Sequence, residues 1–423
     1  MKHFLICIIA CSFLIVSCSN KGDNALSFVK IDGNKVPVLS LDNIEDEPIT
    51  LGLSEIVSDY KLIPLETKEE CLIEYAHPYY SEGLLLISTQ HFPGPAPLYM
   101  FDLEGKFIRE IGKGGKGPGE HSGYVVENVI IDRDFGEILA NFQNVIQRFD
   151  LEGNFIDKLN QPDYFRSDAY RLDKNTWFVV GSSADYVSQV KDSSLVNFYN
   201  EAGDITGKIR RYEFPPKTRS GFTPGGFQTS VYKHAGVWKL SIQGLDTLYR
   251  LEDKSLVPEL IIEPGSKAMR HNEIITQSEF LGSVDFAVFA ENKNYYFIRK
   301  GAVSEAELVE FREGSWGGMI NYDYELLLLD KNSFRVTKLI IEDDIYGVCE
   351  PMYFSAMAEL FDSKHILYPL HPEEISSKAE GILNNDNLSE ETRSRFSELK
   401  KLITLESNPA ILFLTLKDNI DLN

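Results

Sequence analysis

The feature that most restricts what this chain can fold into is a phrase that recurs at nearly constant spacing. Phe101-Asp102-Leu103-Glu104-Gly105-Lys106-Phe107-Ile108 returns as Phe149-Asp150-Leu151-Glu152-Gly153-Asn154-Phe155-Ile156, an offset of 48 residues. Tyr199-Asn200-Glu201-Ala202-Gly203-Asp204-Ile205 follows 50 residues later, and Tyr249-Arg250-Leu251-Glu252-Asp253 another 50 beyond. A degenerate copy, Leu329-Asp330-Lys331-Asn332, comes after a longer gap of 80. Each phrase reads as an apolar strand, a tight turn, and a second strand with alternating apolar residues, which is a β-hairpin.

Further strand-like runs lie between the copies, among them Gly83-Leu84-Leu85-Leu86-Ile87, Val129-Ile130-Ile131, Trp177-Phe178-Val179-Val180 and Tyr295-Tyr296-Phe297-Ile298. A hairpin returning about every 40 to 50 residues with extra strands between matches the blade period of a β-propeller. Apolar spacing by three and four is scarce before residue 372, so the chain is expected to be all-β. An array of β-sandwiches is the rival architecture, because strands and turns alone do not say how sheets close. One late surface helix is expected, with Ser389 as N-cap, Glu390 and Glu391 in the first turn, and Phe396, Leu399, Leu402 and Ile403 on one face. Pro409 to Leu416 then reads as a terminal strand, and Tyr60-Lys61-Leu62-Ile63-Pro64-Leu65 is its expected partner, since ring closure removes exposed edges.

The N-terminus reads as an export signal over residues 1–17. Lys2 and His3 precede the apolar run Phe4 to Val16, which is shorter than the roughly 20 residues that span a hydrocarbon core. Ile15-Val16-Ser17-Cys18 resembles a lipobox, so Cys18 is the expected lipidation site. A polar tether is expected over 18–50 and the propeller over 51–423.

Formal net charge is −22, from 64 acidic against 42 basic residues, a balance that repels nucleic acid and anionic headgroups. Cys71 and Cys349 are the only cysteines beyond Cys18. Either one disulfide helps to close the ring or both are unpaired thiols.

Several phrases together resemble the six-bladed β-propeller lipoproteins of Bacteroides-like bacteria, distantly akin to NHL-repeat propellers. They are Tyr60 to Thr67, Phe101 to Glu120, Asp246-Thr247-Leu248-Tyr249 and Asn408-Pro409-Ala410-Ile411-Leu412. The resemblance implies six four-stranded antiparallel blades and a lipid-anchored place in the cell envelope, at the outer membrane. It carries no catalytic residues.

Gly112-Lys113-Gly114-Gly115-Lys116-Gly117-Pro118-Gly119 contains GxGxxG, but Pro118-Gly119 breaks the chain where a phosphate loop must open into a helix. It reads as a loop between blades, with Lys113 and Lys116 expected on a rim beside His121, able to contact an anion or sugar. Asp132 to Glu137 lacks the ligand series of a calcium loop and reads as a turn. The histidines are scattered and no CxxC occurs, so neither metal nor cofactor is expected.

Two loops are expected to carry recognition. Phe214 to Phe227 is long, aromatic and basic, which singles out Arg219 and Phe222; Phe311 to Gly318, inside the enlarged interval, singles out Trp316. Packing over the ring is the alternative for both. With no GxSxG or Cys-His signature, the expected function is a non-catalytic binding module for a carbohydrate, peptide or protein partner. A hydrolase or lyase with carboxylates at the central channel is the alternative, as is a structural subunit of an outer-membrane complex.

Overall fold

The computed structural model describes residues 26–41, 47–89, 94–126, 128–142, 145–160, 168–180, 194–210, 229–242, 247–263, 265–268, 281–312, 315–349 and 364–422. The expected signal and Cys18 lie outside them. Six antiparallel sheets succeed one another as the blades of a propeller. Blade 1 comprises His77–Ser81, Leu84–Ser88, Leu98–Phe101 and Phe107–Ile111. Blade 2 comprises Asn128–Asp132, Glu137–Asn141, Val145–Asp150 and Phe155–Asn160. Blade 3 comprises Asp168–Asp173, Thr176–Val180, Ser194–Asn200 and Ile205–Arg210. Blade 4 comprises Thr229–His234, Val237–Ile242, Thr247–Glu252 and Ser255–Glu263. Blade 5 comprises Val284–Glu291, Tyr295–Arg312, Ser315–Asp330 and Val336–Glu342. Blade 6 is completed from both ends of the chain, by His365–Leu370, Ala410–Leu416 and Val57–Pro64.

The recurring phrase is the turn between the third and fourth strands of blades 1 to 5. Asp102 Oδ1 accepts from the backbone N–H of Glu104 and Lys106, while Gly105 turns the chain at φ +80°. Asp150 with Gly153 and Asn200 with Gly203 repeat the arrangement. In blade 5 Asp330 caps Asn332 and Ser333, and Phe334 takes the left-handed position at φ +57°. The short polar side chain satisfies turn amides that the ladder leaves unpaired, so the phrase survives where the strands around it diverge. The gap of 80 arises because the second and third strands of blade 5 run for 18 and 16 residues.

Each blade is covered on both faces, which explains the uninterrupted apolar runs. In blade 5, Tyr296, Ile298, Leu327 and Leu329 pack towards Leu248 and Leu260 of blade 4. The alternate residues Phe297, Leu326 and Leu328 pack towards Ile366, Leu412 and Leu414 of blade 6.

The terminal strand closes the ring as expected: Ala410–Leu416 pairs antiparallel with Val57–Pro64, Ile411 opposite Ile63 and Leu414 opposite Tyr60. The expected tether does not hold for the described part of 18–50. Leu26–Ile31 and Asn34–Ser40 form a hairpin whose second strand adds in parallel to the outer strand of blade 4, Val38 opposite Ile261. Ile49–Gly52 then adds in parallel to the outer strand of blade 5, Leu51 opposite Ile341. Successive pieces of the N-terminal segment thus cover the outer edges of blades 4 and 5 before Val57–Pro64 enters blade 6 as its outer strand. Val36, Val38 and Leu39 are buried there, and that apolar content is what draws a polar-looking segment onto the ring.

Beside a single turn, α1 (Leu53–Ile56), two helices, α2 (Pro372–Leu383) and α3 (Glu390–Leu402), are inserted between strands of blade 6. Ser389 caps α3 by accepting from the Thr392 N–H at 3.0 Å. The sequence pattern predicts α3 alone, as a surface element. Instead Ile375, Ala379 and Ile382 of α2 and Phe396 and Leu399 of α3 join the core of blades 5 and 6. Cys71 and Cys349 are both free, so strand pairing closes the ring without a disulfide.

Candidate functional site

The glycine-rich segment connects blades 1 and 2, and its ends are joined by a short parallel pairing of Lys113–Gly114 with Glu120–His121. Gly112 (φ +64°) abuts Phe142, and Gly119 (φ +74°) abuts Phe155, so the glycines serve close packing and backbone reversal. The Gly117 N–H donates to Glu120 Oε2 at 2.7 Å. A carboxylate of the loop itself therefore occupies an amide that an incoming anion would need.

Lys113 and Lys116 are exposed. His121 does not share their rim, which corrects the sequence expectation. It is 3% exposed, its Nε2 lies 2.9 Å from the Gly112 carbonyl oxygen, and its ring stacks on Phe142 at 3.7 Å. Burial holds its pKa below 6.5 against the opposing pull of backbone hydrogen bonds. Its neutral ring is a packing element beneath the loop.

Arg219 and Phe222 lie outside the described residues. Trp316 stands opposite Glu310 near the far end of the long hairpin of blade 5. That hairpin is the most unusual feature of the ring. Val284–Glu291 accompanies it only as far as Ala302, with Ser283 and Gly282 closing on Val303, and Val336–Glu342 accompanies the other strand only over Leu326 to Leu329. From Glu305 to Arg312 the strand pairs only with Ser315 to Asn321 among the described residues. At about 3.3 Å per residue, Ser304–Arg312 reaches roughly 30 Å beyond the blade's shared ladder. The register slips at Val303/Glu305 and again at Glu310/Arg312, bulges that add twist to a two-stranded ribbon.

An aromatic platform forms the base of this ribbon. Tyr322 and Tyr324 stack with centroids 5.7 Å apart and planes 16° from parallel. A Cβ on Gly301 would lie 3.0 Å from Tyr324 Cε1 and 3.3 Å from Tyr322 Cδ1, so glycine is what allows both rings to lie down on the strand. The Arg299 guanidinium is 5.4 Å from the Tyr324 ring, and Lys300 pairs with Glu325. Burial, with the charge of Asp285 adding, pushes the Tyr322 phenol up to about 12. Just beyond, Asn321 Nδ2 donates to Glu305 Oε2 at 2.7 Å, tying the two strands at the first ribbon pair. The residues 311–318 signalled this hairpin through its aromatic and glycine content, but the platform at Gly301 and Tyr322 went unread.

Buried charge elsewhere is spent between blades. Arg171 pairs with Glu201 at 3.0 Å and Arg148 with the same carboxylate at 3.2 Å, while Trp177 Nε1 donates to it at 3.2 Å. The Arg171 guanidinium covers the Trp177 ring at 4.1 Å. Between blades 4 and 5, Lys239 pairs with Glu259 and lies 3.6 Å from Glu291, to which Lys331 also pairs; Tyr296 donates to Glu259 at 2.9 Å. Trp177 and Tyr296 sit second in their second strands, and Glu201 and Lys331 directly follow their third strands, so the two networks occupy equivalent places in the repeat. Single charged residues in strands were the only sequence signal for them. Among the described residues, no group of three or more His, Cys, Asp or Glu side chains is arranged to hold a metal ion.

A model for a family described as a domain of unknown function, DUF4934, matches residues 36–415. No curated protein matches the chain. Among solved structures, a Bacteroides fragilis protein described as exported superposes with a TM-score of 0.60 at 17% identity, covering 90% of this chain and 99% of that one. A member of the DUF4221 family from Bacteroides vulgatus gives 0.46 at 11% identity, over 86% and 97%.

Proposed function

The chain belongs to the DUF4934 family, and on that premise we propose that it is a non-catalytic recognition module of the cell envelope, which engages a peptide or protein partner through the blade 5 ribbon. The observation that carries this reading is the ribbon itself: two strands of 18 and 16 residues whose outer halves pair only with each other among the described residues. Strands of four or five residues are enough to build a blade, as blade 1 shows. The excess length contributes nothing to the shared ladder and, among the described residues, has no strand beside its outer edges; pairing along such an edge is the chemistry by which extended segments are captured. The sequence places Trp316 near its end, and the tyrosine platform at its base is aromatic surface on the same element. Glycan contact at the platform is the lesser reading, since sugar faces also stack on tyrosine.

The envelope address rests on the apolar leader and Ile15-Val16-Ser17-Cys18, and it is consistent with the exported description of the Bacteroides fragilis protein. Cys18, once acylated, would hold an acidic ring at a membrane that its charge of −22 does not favour approaching. A chain in which residues 304–321 are replaced by a two-residue Asn-Gly turn tests the recognition role. Partner capture from solubilised envelope should be lost while the melting temperature stays within a few degrees. Undiminished capture, or turnover of envelope glycans by the intact chain, overturns it.

A further inference from the structure

We propose that the partner segment taken by the blade 5 ribbon is extended and cationic, and that it joins one open edge as an added β-strand. This inference rests on the ribbon being the recognition element. Geometry supplies the first argument. Edges elsewhere on the ring are shorter or covered: N-terminal strands add to the outer strands of blades 4 and 5, the outer strands of blades 1, 2 and 3 are only five or six residues long, and blade 6 ends on the eight-residue Val57–Pro64. The ribbon instead keeps two edges without a neighbouring strand among the described residues, one along Glu305 to Arg312 and one along Ser315 to Asn321. Backbone pairing along such an edge provides affinity without demanding a particular side chain.

Charge supplies the second argument. Between Ser304 and Asp323 the sequence holds Glu305, Glu307, Glu310, Glu313 and Asp323 against the single base Arg312. Ser304, Glu305, Asn321 and Asp323 at the ribbon's start are exposed, so the carboxylates of Glu305 and Asp323 face an approaching segment. A second copy of the chain would set like charges opposite one another, which cross-strand pairing penalises. A segment rich in lysine or arginine gains steering and register from the same residues.

The probe is a short synthetic peptide alternating lysine and valine, with two controls: the glutamate-valine analogue, and the lysine peptide N-methylated at alternate backbone amides. Fluorescence anisotropy with the full chain should show salt-sensitive binding of the lysine peptide alone. Glu305→Lys, Glu307→Lys and Glu310→Lys combined should weaken it by at least about tenfold, with an unchanged melting curve. Equal binding of the N-methylated peptide, preference for the glutamate peptide, or self-association through the ribbon in sedimentation overturns the proposal. If shortening the ribbon abolishes capture of the natural partner while the lysine peptide never binds, the cationic class is wrong and the recognition reading stands.

Discussion

The side-chain amide of Asn408 donates to the backbone carbonyl of Cys71 at 2.7 Å, across a sequence separation of 337 residues. The same Nδ2 donates to the Glu66 carbonyl at 2.8 Å, and its Oδ1 accepts from the Ile73 N–H at 2.9 Å. Asn408 is 2% exposed and stands just before the terminal strand of blade 6, so it fastens the last strand to the loop that leads into blade 1. Asn408→Ala leaves the Cys71 carbonyl and the Ile73 N–H unpaired and the Glu66 carbonyl with only the Cys71 thiol, each lost bond costing about 1 kcal/mol or more. Urea unfolding should show a loss of about 2 to 4 kcal/mol, against little change for the exposed Glu406→Ala.

The strands that cover the outer edge of blade 4 predict the behaviour of a shortened chain. Removing residues up to 41 uncovers the backbone of Ile261 to Glu263 together with the apolar surface hidden by Val36, Val38 and Leu39. The shortened chain should melt several degrees lower and form concentration-dependent oligomers in light scattering. A monodisperse chain with an unchanged melt would mean that this hairpin is dispensable.

Arg171 is buried between Trp177 and the carboxylates of Glu201 and Glu137. Arg171→Met keeps much of the volume and leaves Glu137 and Glu201 to Arg148 alone, so a loss of about 2 kcal/mol is expected. Adding Glu201→Gln should recover part of it, and the double-mutant cycle in chemical denaturation reads the coupling.

Acid should destabilise the chain partly through His121. Its folded pKa lies below the ordinary 6.5 because of burial, so the folded chain binds fewer protons than the unfolded one. Its contribution is intact above 6.5 and is lost as the pH falls from there through the folded value. His234 and His371 are shifted in the same direction for the same reason. Unfolding free energy should fall between about pH 7.5 and about pH 5, and His121→Gln should show a shallower fall. An identical slope in the variant would remove His121 from the account.

Burial pushes the thiols of Cys71 and Cys349 upward, and the two are not joined. Iodoacetamide at neutral pH should modify neither in the native chain within the time that modifies both in urea, as mapped by peptide mass spectrometry. Joined peptides under non-reducing digestion would contradict the closure of blade 6 by strand pairing alone.

Local chemistry was readable directly. The turns at Asp102, Asp150, Asn200 and Asp330 depend on a side chain capping amides two to four residues away, and Ser389 caps α3 in the same local way. The pairing of Val57–Pro64 with Ala410–Leu416 was also legible, because a closed ring needs a strand from each end. α2 escaped notice although Ile375, Ala379 and Ile382 carry helical spacing, since its polar residues outnumber them. The binding candidates fared differently: the Gly112 to Gly119 segment announced a loop correctly, but nothing local distinguished a rim histidine from one stacked under it on Phe142.

By itself, then, the sequence determined the repeat, the turn chemistry and the strand that closes the ring, all set by neighbours or by strong periodicity. Tertiary structure alone decided the course of residues 26–52 along blades 4 and 5, the burial of His121, the ion networks between blades and the unaccompanied outer half of the blade 5 hairpin. Each of those depends on which edge or charge from a distant blade arrives beside a given residue. Contacts of that kind leave no period and no spacing in the chain, because the ring joins residues whose separation along the sequence is arbitrary.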